Sequence, residues 1–238
     1  MTAQTVHLPR ARSLSGLTAL LVVGGLTLAQ VRVAAQSSVS GQGTAAVVNT
    51  PATGAQEFAT AMLPSGGGMA DSDLVNAGVV NTLGADGLAA ITTGMIDTGV
   101  VSAQTSAEAA NVNILNGLIT AEQVVALASS YANAQTAASN AAGSSLLGLV
   151  VNGVNLGDVT PAPNTRITLP GTGYVVLNEQ VPAGDGVTSS GLTVNMIHVY
   201  LQSVIGGVVD LLTGQLVGGT LTTTGEIIVG SAASRAAR

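Results

Sequence analysis

The sequence predicts a mainly β fold, an antiparallel β-sandwich or β-roll built of hairpins, after an N-terminal signal-peptide helix. Three observations carry that expectation. Hydrophobic residues make up 47% of the 238-residue chain and aromatics only 2%, so the apolar content is Ala, Val, Leu and Ile, small side chains that let sheets stack closely. Short apolar runs alternate with Gly, Asn, Asp and Pro, the punctuation of strands joined by tight turns. Asn116 with Gly117, and Asn152 with Gly153, each sit between apolar runs; Asn-Gly tolerates positive φ at both central positions, as the type I′ hairpin turn demands. Disorder is a poor description of such a chain, because disordered segments are low in hydrophobicity and high in charge.

Residues 1–35 read as a secretory leader. Arg10 and Arg12 supply the positive start, residues 17–28 (LTALLVVGGLTL) the apolar stretch, and Val33, Ala34 and Ala35 a small-residue cleavage site before Gln36. The apolar stretch is short of the ~20 residues that a membrane span requires. The alternative is an uncleaved leader, the one route to a membrane that the sequence offers. Residues 36–73 read as a flexible Ser/Thr/Gly-rich segment, broken at 64–68 (PSGGG). A single β-rich domain is expected over residues 74–238.

Within that domain, residues 74–101 alternate short apolar runs with Asn76, Gly78, Gly84, Asp86, Gly87, Gly94 and Gly99. Around Asn116, the hairpin pattern sets Val112 and Ile114 opposite Ala121 and Ile119. The Ala-rich flanks, 103–110 and 121–142, are ambiguous: Ala favours helix, whereas the Ala-x-Ala alternation favours strands that continue the hairpin. Pro161 and Pro163 mark a loop or sheet edge. Pro170 with Gly171 is a turn between two further strands. Residues 192–201 (LTVNMIHVYL) alternate with Leu192, Val194, Met196, His198 and Tyr200 on one face, and apolar residues on both faces suggest a central strand. Residues 204–216 suit either one short amphipathic helix or a loose hairpin, and residues 225–229 (GEIIV) form a last strand.

Composition excludes much chemistry. The chain has no Cys and no Lys, which removes disulfides, thiolate catalysis, Schiff bases, the P-loop lysine and lysine isopeptide crosslinks. The net charge is −6, and loss of the leader removes three arginines and no acid, leaving three arginines against 12 acids. A nucleic-acid backbone would be repelled by such a surface.

Residues 146–181 (LLGLVVNGVNLGDVTPAPNTRITLPGTGYVVLNEQV), 191–201 (GLTVNMIHVYL) and 225–234 (GEIIVGSAAS), with the hairpin at 112–121, resemble the choice-of-anchor P family over roughly residues 75–234. The resemblance implies an exported bacterial domain whose members carry different C-terminal anchors, and it brings no enzymatic role. This chain departs from anchored members in ending SAASRAAR, with no apolar tail before the arginines.

Candidate sites are few. Residues 169–173 (LPGTG) spell the sortase pattern but precede strand-like sequence rather than an apolar span, so a strand–turn–strand is expected. Residues 41–46 (GQGTAA) match G-x-G-x-x-A without the strand-then-helix context that a dinucleotide site requires. His198, the one histidine beyond the leader, reads as a hydrogen-bonded core residue, since a hydrolytic triad needs an activated Ser and a carboxylate beside it and no G-x-S-x-G elbow occurs. Asp71 and Asp73 form a D-x-D pair in a Gly-rich region and are the candidate calcium ligands; calcium takes about six to eight oxygens, and loop acids more often solvate a surface. The expected function is that of a secreted or cell-surface structural or adhesive domain without catalysis and without a cofactor other than calcium. It would self-associate or, in the alternative, bind surface polysaccharide. A secreted hydrolase is the third reading.

Overall fold

The computed structural model describes residues 36–209 and 216–238; the leader lies outside them. The described residues form one compact unit. The described residues contain 15 strands and no helix. In chain order they are β1 (Ser38–Thr50), β2 (Gly54–Met62), β3 (Gly68–Val79), β4 (Leu83–Asp97), β5 (Val100–Ile114), β6 (Ile119–Asn133), β7 (Ala137–Asn140), β8 (Ser145–Val151), β9 (Val154–Val159), β10 (Thr165–Leu169), β11 (Gly173–Gly184), β12 (Ser189–Ile205), β13 (Val208–Val209), β14 (Leu216–Val217) and β15 (Thr220–Ala237). Two antiparallel sheets pack face to face as a sandwich. The first has the order β10-β11-β12-β15-β1-β2; the second has β3-β4-β5-β6-β8-β9, with β7 also on β6.

The turn chemistry is where the sequence places it. Val112 pairs with Ala121 and Ile114 with Ile119, around a turn in which Leu115, Asn116 and Gly117 all have positive φ. Val151 pairs with Val154, with Asn152 and Gly153 at φ 50° and 77°, the two-residue arrangement of a type I′ hairpin. The Ala-rich flanks are largely strand: 103–110 lies in β5, and 121–142 runs through β6 and, after a turn, β7.

Two expectations are corrected. Residues 36–73 are not a flexible segment but β1, β2 and the first half of β3. β1 lies between β15 and β2 inside the first sheet, and its Gly, Ala, Ser and Thr residues fit a place where the two sheets come close. The stretch 204–216 holds no helix among its described residues; Val208 pairs with Val217 as a small hairpin, and 210–215 lie outside the described chain.

The face assignment of β12 is corrected as well. Pairing across the first sheet skips one residue at the same level in each strand but β10: Leu177↔Ile197 and Glu179↔Asn195 bracket Asn178 and Met196, and the same offset brackets Gly230 on β15, Ala45 on β1 and Ala59 on β2. Asn178, Gly230 and Ala59 have φ of 50°, 70° and 51°. The result is a line of bulges crossing five strands. Because the side-chain period is two, the extra residue turns each strand over. In β12, Met196 and Ile197 are consecutive and both fully buried, so Leu192, Val194 and Met196 face inward but His198 and Tyr200 face outward. The second sheet does the same at Gly87, Asn111 and Gly148, with φ of 53°, 48° and 59°. In β6 the inward set changes there from Ile119 and Ala121 to Val124 and Ala126.

Candidate functional site

The strand reversal at Met196 exposes the largest cluster of chemistry-bearing side chains on the outer face of the first sheet. Three cross-strand rows meet there: Glu179, Asn195 and Ser231; Val176, His198 and Ile228; Tyr174, Tyr200 and Glu226. Glu179 is the hub. The Tyr200 hydroxyl donates to its Oε1 at 2.7 Å and the Asn195 amide to its Oε2 at 2.8 Å. His198 Nδ1 lies 2.6 Å from the same Oε2, and His198 Nε2 lies 3.2 Å from Glu226 Oε2. Ser231 donates to Asn195 Oδ1 at 2.8 Å, fixing the amide.

Burial alone would push the Glu179 carboxyl up, but the hydrogen bonds from His198, Tyr200 and Asn195 outweigh it and hold the group below its ordinary range. The Tyr200 phenol is pushed well up by burial and by its bond to Glu179. A stack covers the network: His198 against Tyr200 at 3.9 Å, Tyr200 against Tyr174 at 4.7 Å, and the Arg166 guanidinium 3.7 Å above Tyr174. Such cation–π and aromatic contacts add rigidity to this face.

The arrangement can hold and orient protons along Glu179, His198 and Glu226. Both ring nitrogens of His198 are engaged by carboxylates, and the nearby Ser231 hydroxyl bonds Asn195, so among the described residues no hydroxyl is hydrogen-bonded to the imidazole as a triad requires. His198 is 6% exposed, in keeping with the expected hydrogen-bonded role, although its partners belong to an outer face and not to the core between the sheets.

Asp71 and Asp73 project from β3, opposite Ile91 and Ala89, and both are exposed on an edge strand. Among the described residues no group of three or more His, Asp or Glu side chains is placed to share a metal ion. Other acids serve their own loops and bulges. Asp185 accepts from the backbone of Val187, Thr188 and Ser189 and from the Thr188 hydroxyl, which holds its carboxyl far below the ordinary range. Asp158 accepts from Gly148 and Asp86 from Asn111, at two of the bulges.

Residues 169–173 make the β10–β11 turn, closed by Thr172 N–H on Leu169 O, and residues 41–46 lie inside β1. Sequence reasoning singled out His198 and missed Glu179, Glu226, Asn195 and Tyr200 as its partners. The available signal was the excess of bulky residues in 192–201, too many for one inward face. A shallow depression lies on the outer face of the second sheet, lined by Thr93, Met95, Ser102, Gln104, Ser129 and Tyr131. Comparison with family models, with curated proteins and with solved structures gives no match.

Proposed function

We propose that this chain is a structural or adhesive domain of the cell exterior that works by self-association and carries out no catalysis. The observation that carries the reading is the exposure of apolar side chains along the lateral edges of the sandwich: Met62 at the end of β2, and Met69, Leu74 and Val75 on β3, are 67%, 65%, 40% and 82% exposed. Long β-prone edges with apolar side chains are templates for further pairing. The leader-like residues 1–35 and the resemblance to the choice-of-anchor P family point the same way, to export. Light scattering on the full chain over a range of concentrations tests it: average mass should rise with concentration. A constant monomer mass, with calcium and with chelator, would overturn the reading. Loss of assembly in chelator would make it calcium-dependent, with Asp71 and Asp73 the first ligands to substitute.

A second reading, a polysaccharide-binding module, is favoured by one observation. Tyr131 is 40% exposed beside Gln104 and Ser129 in the depression on the second sheet, a ring and hydrogen-bonding groups on one flat surface. Retention of the monomer on a glycan array, lost in Tyr131→Ala, is the outcome expected of that module.

A further inference from the structure

We propose that copies of this chain join edge to edge through the first sheet, residues 54–58 of β2 pairing antiparallel with β10 of a second copy. The inference rests on the self-association reading and deepens it by naming the surfaces. Four features select these two edges.

The first is polarity. The first sheet holds six strands, each antiparallel to its neighbour, so its two outermost strands, β10 and β2, run in opposite directions. A second copy placed beyond β2 without reversal therefore presents β10 antiparallel to it. The contact is heterologous and leaves a free β2 and a free β10 at the ends, which generates an open filament.

The second is length. β10 has five residues, Thr165–Leu169. β2 begins at Gly54 and reaches its bulge residue, Ala59, five positions later, leaving an uninterrupted run of the same length. The prolines at 161, 163 and 170 flank β10 and stand outside it.

The third is the alternation of faces. Aligning Glu57 with Arg166 sets Ala55 against Thr168 on the outer face, and Gln56 and Phe58 against Ile167 and Thr165 on the inner one. Phe58 and Ile167 already pack against the core of their own sheet, so the inner layer continues across the junction without turning a strand over.

The fourth is charge. Arg166 and Glu57 are the two ends of a single cross-strand row that runs Arg166, Val176, His198, Ile228, Val47, Glu57. Both are exposed, and neither has an ion-pair partner among the described residues. The register that matches the faces also places these two charges opposite each other, as favourable cross-strand pairs are. The β3 edge carries Asp71 and Asp73 outward and no cation to pair with Glu57.

The test exploits charge reversal in the full chain, with circular dichroism confirming the fold of each variant. Glu57→Arg and Arg166→Glu should each raise the concentration for half-assembly by about tenfold, which corresponds to ~1.4 kcal/mol per junction. An equimolar mixture of the two variants should assemble again, because every junction between unlike copies pairs Arg with Arg's complement: Glu57→Arg meets Arg166→Glu, and the native Arg166 meets the native Glu57. The double variant should assemble alone. Because the chain has no Cys, a second variant reports register directly: Ala55→Cys with Thr168→Cys should give a ladder of covalent oligomers on oxidation, whereas Ala55→Cys with Thr188→Cys should not. Assembly unaffected by either reversal, or no recovery on mixing together with no ladder, overturns the edge pairing while leaving self-association standing. An unmodified chain that stays monomeric overturns both.

Discussion

On one side of the bulge lines the two sheets meet through Leu83, Ile114, Ile119, Leu149, Ile197 and Ile227, all fully or nearly fully buried. On the other side they meet through Gly41, Gly43, Thr92, Thr105, Ser130 and Ser234. The strands are continuous across both halves, so one strand serves two kinds of core. β5 has Val112 and Ile114 in the wide half and Ala103, Thr105 and Ala107 in the narrow half. In the wide half each large side chain removed from water contributes about 1.5–3 kcal/mol. The narrow half also buries apolar side chains next to the bulge line, Leu88, Val124, Leu146, Leu192 and Val194, but beyond them it holds by close approach and internal hydrogen bonds. Thr92 and Thr105 hydroxyls meet at 2.9 Å, and Ser130 bonds the Ser234 hydroxyl at 2.8 Å. A satellite cluster including Val39, Leu63 and Val101 closes the far end. The difference teaches that the hydroxyls of Thr92, Thr105, Ser130 and Ser234 are buried because the two sheets come close there and satisfy them mutually.

The sharpest way to break the comparison is to change volume in opposite senses. Leu149→Ala should cost about 2–5 kcal/mol, the ordinary penalty for a cavity in a well-packed core. Gly43→Ala adds one methyl and should cost about 1–3 kcal/mol, since a Cβ there would stand 2.9 Å from the Ser106 carbonyl and 3.2 Å from the Ala90 methyl. Urea midpoints at constant m-value measure both. If Gly43→Ala is neutral, the narrow half has slack and the two halves do not differ as described.

The same contrast decides what could be read from the sequence. The hairpins at 112–121 and 151–154 were legible because turn geometry is local and Asn-Gly specifies it. Residues 36–73 were misread because a narrow core and a flexible linker use the same alphabet: Val39, Gly41, Gly43 and Ala45 alternate inward along β1, but Gly, Ala and Ser carry no hydrophobic contrast against their polar neighbours. The outward polar network was hidden for another reason. One extra residue at Met196 reverses the face of His198, and its partners Glu179 and Glu226 lie 19 and 28 residues away along the chain, so neither periodicity nor spacing brings them together.

A smaller effect sharpens the account of the narrow half. Thr92→Val removes one hydroxyl of a buried pair and leaves Thr105 facing an apolar methyl. The stranded hydroxyl should cost about 1–2 kcal/mol. Replacing both residues by Val removes both polar groups at similar volume and should recover most of that loss. A double variant as unstable as the sum of the singles would mean that the pair holds the sheets together by more than mutual satisfaction.

The smallest effect belongs to the outer face. Glu179 has its carboxyl held below the ordinary 4.5 by His198, Tyr200 and Asn195 against the opposing effect of burial. A carboxyl whose folded value lies below its unfolded one adds stability that is fully present above about 4.5 and is lost as pH falls through the folded value. Glu179→Gln keeps the shape and discards the titration. The unmodified chain should therefore lose stability more steeply than the variant on acidification below about pH 4.5, by less than about 1 kcal/mol because solvent and salt screen an outer-face charge. Urea midpoints at pH 7, 4.5 and 3 make the comparison. Parallel curves would mean that the three donors favour the neutral carboxyl as much as the charged one, and that the network positions side chains without storing pH-dependent energy.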